Sequence, residues 1–265
     1  MNLTKEIVNC NVCGTRMNPL EEVIILNSYS SVIFHCPSCD YMKFPNPTWL
    51  NEAYSDVIAQ TDIGLVARNL YVARKLSSLF LYLEKGKGQY LDVAGGYGLL
   101  VRLMRDRGFD FLWSDEFCSN IFAKNFSKNS NSQKFSGVTA IEVLEHVDNP
   151  VQFIENIILD TKAEFVVFTT LLYNGHPPEA KKWWYYCLDT GQHISFYSKK
   201  TLKKIAIRLN YNVYSVGIFH IFSRHKLNLL ILQLILGKFS FLFDFFVRNL
   251  MPSRLTSDLR RIKNN

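Results

Sequence analysis

Four cysteines, three clustered glycines and two spaced aspartates are the residues here whose types and spacing could do chemistry. Cys10-x-x-Cys13 and Cys36-x-x-Cys39 are two knuckles with 22 residues between them. Two thiolates three positions apart on a tight turn bite one metal from the same side, and a second knuckle closes a tetrahedron. Zinc with four thiolates has no open position, so such a site is structural, and it adds about −2 to the local charge. Unliganded core cysteines, or a redox pair from one knuckle alone, are the competing readings. Cys118 and Cys187 stand apart, as plain core or pocket-wall residues.

The second set lies in "YLDVAGGYGLL" (Tyr90 to Leu100), an apolar run carrying an acid and then three glycines within four residues. A helical pattern, "LLVRLMRDRGF", follows. The next apolar run, "FDFLWSDEF", ends at Asp115, 19 positions after Gly96. That is strand, glycine loop, helix, strand, with an acid where a nucleotide-binding sheet grips a ribose diol. A dinucleotide loop wants GxGxxG, but counted from Gly96 the sixth position is Val101. A P-loop wants Lys and then Ser or Thr, but Leu99 and Leu100 follow Gly98. What remains is Asp92, Ala94, Gly96 and Gly98 at alternate positions, with Gly95 between. A carboxylate beside the loop repels pyrophosphate. It suits a ligand with an ammonium and a sulfonium, and S-adenosylmethionine is such a ligand. A turn rich in glycine for packing alone is the plainer alternative.

On these residues the chain resembles the class I S-adenosylmethionine-dependent methyltransferases. The Asp92 to Gly98 stretch is similar to their motif I, with Ala94 where the family usually has its first glycine. "VTAIEVLEHVDNP" (Val138 to Pro150) resembles the fourth-strand motif and "FVVFTT" (Phe165 to Thr170) the fifth strand. "GQHISFYSKKTLKKIAIRLNY" resembles the strand-to-helix segment after it in the broad group that includes ubiquinone-type and sugar methyltransferases. The likeness covers about residues 60–225. Some sugar methyltransferases also carry an N-terminal zinc-binding module, whose layout Cys10, Cys13, Cys36 and Cys39 match. The resemblance implies an α/β fold: a Rossmann-like sheet with helices on both faces. It implies that Asp92, Ala94, Gly95, Gly96, Gly98, Asp115 and Glu142 hold S-adenosylmethionine.

An acceptor site is expected in "NGHPPEAKKWWYYCLDTGQHISFYS" (Asn174 to Ser198). Trp183, Trp184, Tyr185 and Tyr186 either wall an acceptor, stacking on a sugar or planar ring, or form a lid over the sheet edge. His193 titrates near neutral pH and is the candidate general base. Sugar C-methyltransferases are proposed to use a histidine of an acid–histidine pair in this region. Here Gln192 precedes it, which leaves an orienting carboxylate unassigned, and a backbone-bonded structural histidine is the other reading. His146 in "EVLEH" reads as a structural or cofactor-edge residue. The resemblance also suggests that Tyr54, with Arg68 and Asn69, closes the site from the N-terminal side.

These groups need elements to hold them. Apolar runs at 90–94, 109–115, 138–144, 165–170, 211–217 and 218–223 alternate with helical stretches until the last two, which read as an antiparallel hairpin. A further short strand is expected near Gln133–Phe135. Ligand chemistry belongs at the carboxyl ends of such strands. "EEVIILNSYSSVIFHC" reads as two β runs around a polar turn, as in a zinc ribbon. Pro45 and Pro47 break regular structure, and the chain beyond them reads as helix, interrupted near Asp62–Gly64. The expected organisation is a zinc ribbon over 1–47, a methyltransferase domain over 48–225 and a helical, basic extension over 226–265.

At 265 residues the chain can bury one good core and a smaller module. The N-terminus has no secretory h-region, so the cysteines belong in a reducing, cytoplasmic setting. The formal charge is +7, and the 40 residues from Lys226 onward carry seven basic side chains against Asp244 and Asp258. "LNLLILQLILGKFSFLFDFFV" is the most apolar stretch, but Lys238 would sit near mid-bilayer, which argues against a span. Packing on the core or a homodimer face is the preferred use, with peripheral membrane contact open. The function expected is methylation of a small molecule, a sugar or sugar-nucleotide in polysaccharide or secondary-metabolite biosynthesis. An RNA methyltransferase using the ribbon and basic tail is one alternative. A non-catalytic, zinc-stabilised binding protein of the same fold is another. The basic charge sits in an apolar tail, away from the glycine turn, which argues against nucleic acid.

Overall fold

The period-two apolar runs from Gln89 onward pair into one twisted sheet in the computed structural model, which describes residues 7–55, 63–84, 86–129 and 133–264. Three strands precede that sheet in the chain: β1 (Asn18–Ile25), β2 (Tyr29–His35) and β3 (Met42–Lys43). Then come β4 (Gln89–Val93), β5 (Asp110–Ser114), β6 (Gly137–Ala140) and β7 (Phe165–Thr169). The short β8 (Leu172–Tyr173) and β9 (Ser195–Ser198) follow, and β10 (Asn212–Val216) and β11 (Phe219–Ser223) close the set. The main sheet runs β10-β11-β7-β6-β4-β5, with β4, β5, β6 and β7 parallel and the β10–β11 hairpin antiparallel.

Helices pack around the strands. They are α1 (Leu50–Ala53), α2 (Leu65–Glu84), α3 (Leu99–Asp106), α4 (Pro150–Thr161) and α5 (Lys199–Leu209). Of these, α1 lies in the smaller of two apolar cores and the others about the main sheet. Local chemistry explains their ends. Asn149 accepts from the Gln152 N–H ahead of Pro150, and Ser198 forms a capping box with Thr201. The tail folds as α6 (Leu229–Leu236), α7 (Ser240–Leu250) and α8 (Leu255–Asn264).

The strand expected at Gln133–Phe135 does not form. Phe135 is fully buried, and its N–H bonds the Thr161 carbonyl at the end of α4. The edge beyond β5 is met instead by a single parallel bridge from Ser127 to Trp113. Asp62 lies outside the described residues, and a turn at Ile63–Gly64 precedes α2.

The N-terminal hairpin does not stand apart. β1, β2 and β3 pair antiparallel, β3 pairs with β9, and β9 with β8, giving a second sheet of order β1-β2-β3-β9-β8. One apolar core fills the main sheet and reaches Cys10, Cys36 and Cys39. A smaller core joins Ile25, Met42, Phe44, Trp49, Tyr186 and Phe196 behind the second sheet. The ribbon and the residues after β7 therefore share both a sheet and a core.

Candidate active site

The cysteine knuckles are built alike. The residue after each second cysteine, Gly14 or Asp40, is left-handed (φ 76° and 57°). Each donates its N–H to the first cysteine's carbonyl, at 2.8 and 2.9 Å. All four sulfurs lie within 4.8 Å of one another, with Cys10–Cys39 at 3.4 Å and Cys13–Cys36 at 3.5 Å. Tetrahedral zinc with bonds of about 2.3 Å sets its sulfurs about 3.8 Å apart, so the set fits that ion. The Cys39 thiol's hydrogen bond pulls Cys10 down to about 6, against burial, while burial pushes Cys36 up to about 11 and the bond to Cys10 raises Cys39.

The glycine turn leaves β4 beneath a buried acid. Asp92 is 2 % exposed and accepts from Thr139 Oγ1 at 2.6 Å. Burial pushes its carboxyl up to about 7, the Thr139 bond opposing and the charge of Asp115 adding. Ala94 holds φ 52°, a conformation glycine adopts freely and alanine does not, which accounts for the usual glycine at that place. A Cβ on Gly95 would come within 2.8 Å of Asp92 Oδ2 and 2.9 Å of the Trp113 ring. Gly98 (φ 83°) then starts α3.

Asp115, just past the end of β5, braces this turn. Its Oδ2 accepts from the Gly96 N–H at 2.9 Å, and Oδ1 from the N–H groups of Phe117 and Cys118, both at 2.8 Å. Trp113 Nε1 donates to the Gly96 carbonyl at 2.8 Å. The register inferred from spacing brings Asp92, the glycines and Asp115 together. Glu142, past β6, is left-handed (φ 55°), and Thr169 Oγ1 donates to its carboxylate at 2.6 Å. Strained backbone of this kind clusters at ligand sites. The loop fits a cationic ligand on one further ground: a buried carboxyl held near 7 is stabilised when a positive charge arrives.

A second polar cluster sits beside Glu142, on the 3-10 turn Leu144–His146 and on the segment before β9. Glu145 is fully buried, and Tyr185 Oη donates to its Oε1 at 2.7 Å. Its Oε2 has no hydrogen-bond partner among the described residues, and burial, with the nearby Glu142 charge, pushes the carboxyl up to about 8. Glu145, His146 and His193 each bring one polar atom to within 4.8 Å of the others. His193 Nδ1 lies 2.7 Å from the Tyr185 carbonyl and His146 Nδ1 2.9 Å from the Gln192 carbonyl. A carbonyl only accepts, so both Nδ1 atoms carry protons and both Nε2 atoms of the neutral rings are bare. Burial, with the neighbouring His146, pushes His193 down to about 3.

The other expected residues divide. Tyr54 joins the cluster, its Oη 2.8 Å from His146 Nδ1, whereas Asn69 turns back onto the Leu65 carbonyl. Trp183, Tyr185 and Tyr186 pack in the smaller core, and Trp184 stands 75 % exposed. Trp184, Tyr185 and His193 form a chain of edge-on rings, with centroids 5.4 and 4.5 Å apart. Sequence reasoning missed Glu145. Glu145 lies on the 3-10 turn that follows β6, and the signal that could have found it is the acid directly before His146.

Residues 67–216, more than half of the chain, match the methyltransferase domain family. The chain belongs to that family. Among solved structures it is similar to an O-methyltransferase family protein from Burkholderia thailandensis, at 12 % identity and TM-score 0.48, over 68 % of this chain and 64 % of that one. It is also similar to a methyltransferase from Thermotoga maritima described as a possible histamine N-methyltransferase, at 12 % identity and TM-score 0.44, over 68 % and 98 %. Mitomycin 7-O-methyltransferase is matched at 13 % identity and TM-score 0.45, over 66 % of this chain. The match spans less than two thirds of the Burkholderia protein and of the mitomycin enzyme (59 %). No curated protein matches the chain.

Proposed function

We propose that the chain methylates a small hydroxylated acceptor, a sugar or sugar-nucleotide, with His193 Nε2 taking the acceptor's proton. The observation that carries this reading is the Glu145–Tyr185–His193 arrangement beside the glycine turn. Asp92, Ala94, Gly95, Gly96, Gly98, Asp115 and Glu142 would hold S-adenosylmethionine, which supplies a methyl already activated by a positive sulfur. Cys10, Cys13, Cys36 and Cys39 would hold a structural zinc ion.

The chain's own work is then positioning and proton transfer. The Tyr185 carbonyl fixes the His193 tautomer and leaves Nε2 bare. An imidazole depressed this far stays unprotonated across the working range. As the acceptor is alkylated its proton becomes far more acidic, so a weakened base still suffices. A Glu145 carboxylate already ionised beside it would balance the charge that Nε2 gains with that proton. Trp184, exposed at the outer end of the ring chain, gives a sugar's C–H face a surface to stack on.

The test is His193→Asn. Turnover with sugar-nucleotide acceptors is expected to fall about 10²–10⁴-fold, the usual worth of a general base, while affinity for S-adenosylhomocysteine holds. Unchanged turnover removes His193 as the base. Methylation of RNA with no transfer to any sugar-nucleotide overturns the acceptor class.

A further inference from the structure

The tail from Lys226 onward is not used by the site, and its two faces differ sharply. The inner face packs on α2 through Leu232, Ile235 and Leu236 of α6 and Val247 of α7. The outer face leaves large apolar side chains in water. Leu230, Phe245 and Leu250 are 64–70 % exposed, and Leu234, Phe241 and Phe246 are also exposed. On α7 these follow two parallel rows at four-residue spacing, from Phe241 to Phe245 and from Leu242 through Phe246 to Leu250. Scattered exposed apolar residues are ordinary. A contiguous set on adjoining helices marks a docking surface.

Charge says what docks. Both acids of the tail are turned inward. Asp244 pairs with Arg107 and Arg248, and the buried Asp258 with Arg102 and Arg105. Lys226, Lys238, Arg260, Arg261 and Lys263 make no ion pair among the described residues and are exposed. The outer surface of α6 and α7 is thus apolar, with a basic fringe from Lys226 and Lys238 at the two ends of α6 and neither acid of the tail facing outward. A second copy of this chain would set basic fringe against basic fringe across a two-fold axis. An anionic bilayer offers both an apolar interior for the rings and negative headgroups for the fringe.

The geometry suits lying on a bilayer, not crossing it. Among the described residues no single helix is long and apolar enough to span a membrane, and α6 and α7 bend 85° at the break between them. Lys75, buried on α2, donates to the carbonyls of Leu236 and Gly237 at 2.7 and 2.6 Å and pins this elbow. A cation at a helix C-terminus is favourable there.

We infer that α6 and α7 form a membrane-docking surface that seats the enzyme on an anionic phospholipid bilayer. Flotation of the full chain tests this, using vesicles of phosphatidylcholine alone and of phosphatidylcholine with equal phosphatidylglycerol. Partition is expected to be at least tenfold stronger on the anionic vesicles and to fall with salt. The triple variant Phe241→Ser, Phe245→Ser, Phe246→Ser should lose at least tenfold in partition while keeping affinity for S-adenosylhomocysteine, which shows it folded. Lys226→Glu with Lys238→Glu should abolish the lipid preference. Failure of the wild-type chain to float with either vesicle overturns the inference. So does light scattering that shows a dimer broken by the triple phenylalanine variant, since that assigns the face to a second copy.

Discussion

The two halves of the proposed active site are built in opposite ways. The glycine-turn half comes from one continuous stretch, β4 to Asp115, in which each group is placed by its immediate neighbours. The acceptor half is assembled from four distant stretches: Tyr41 to Tyr54, Glu142 to Asp148, Thr170 to Tyr173 and Trp183 to Ser198. What binds those four together is the cysteine module. Asn11 Nδ2, on the first knuckle, donates to the Asp148 carbonyl at 2.7 Å, Tyr173 Oη donates to the Asp40 carbonyl, and just past the fourth stretch Thr201 Oγ1 donates to the Cys39 carbonyl at 2.9 Å. Lys43 pairs with Asp148, Tyr41 Oη meets Ser195 Oγ at 2.7 Å, and Ser195 donates to the Val147 carbonyl at 2.5 Å. A locally built site needs only its strand and helix. A dispersed one needs a clamp.

Removing the proposed zinc ion breaks this comparison most sharply. Chelation, or Cys36→Ser, should cost methyl transfer about 10²-fold or more, because small misplacements of positioned groups carry penalties of that size. Affinity for S-adenosylhomocysteine, read by calorimetry, should change less than tenfold. Equal loss of both would mean that the halves are one unit. The reverse experiment is Gly95→Ala, where the new methyl meets Asp92 and Trp113. Cofactor affinity should drop about tenfold or more, as overpacking of 1–3 kcal/mol implies, while the knuckles keep their metal content.

The buried acids sharpen the contrast further. Asp92, near 7, and Glu145, near 8, both titrate above their unfolded values. The stability gained by keeping them protonated is complete below about pH 4 and is lost as pH rises through 7 to 8. Melting temperature should therefore fall from pH 5 to pH 8.5. Asp92→Asn with Glu145→Gln should flatten that slope. In turnover Glu145 acts with the opposite sign: its ionisation favours the protonated His193, so rate should climb toward pH 8, and Glu145→Gln should remove the climb. The smallest effect is Ala94→Gly, which relieves a left-handed alanine and should add about 1 kcal/mol in denaturant unfolding.

Legibility from the sequence followed the same divide. Asp92, the glycines and Asp115 could be read in register because a strand–turn–helix–strand unit converts spacing into position. The cysteine pairs were readable because two knuckles admit few geometries. The strand runs landed within a residue or two, except that the run 138–144 overshoots β6 by four residues, into the turn that carries Glu142, and that near Gln133–Phe135 Phe135 fills the core beside α4 and not the sheet. Glu145 could not be assigned to His193 because 48 residues separate them and only the packing of the Leu144–His146 turn against the start of β9, where the Ile194 N–H bonds the Glu145 carbonyl, brings them together. The four aromatics could not be sorted for a similar reason. One core, built from the ribbon and the post-β7 segment together, decides which rings are covered.

The pairing of β3 with β9 also constrains how this chain can be cut. A version starting after Pro47 would keep every residue of the glycine turn. It would also leave the β9 edge that faces β3 bare, beside the uncovered rings of Phe196 and Tyr186. An unpaired strand edge next to apolar surface is a template for other chains, so trimming toward a minimal enzyme leads to aggregation instead.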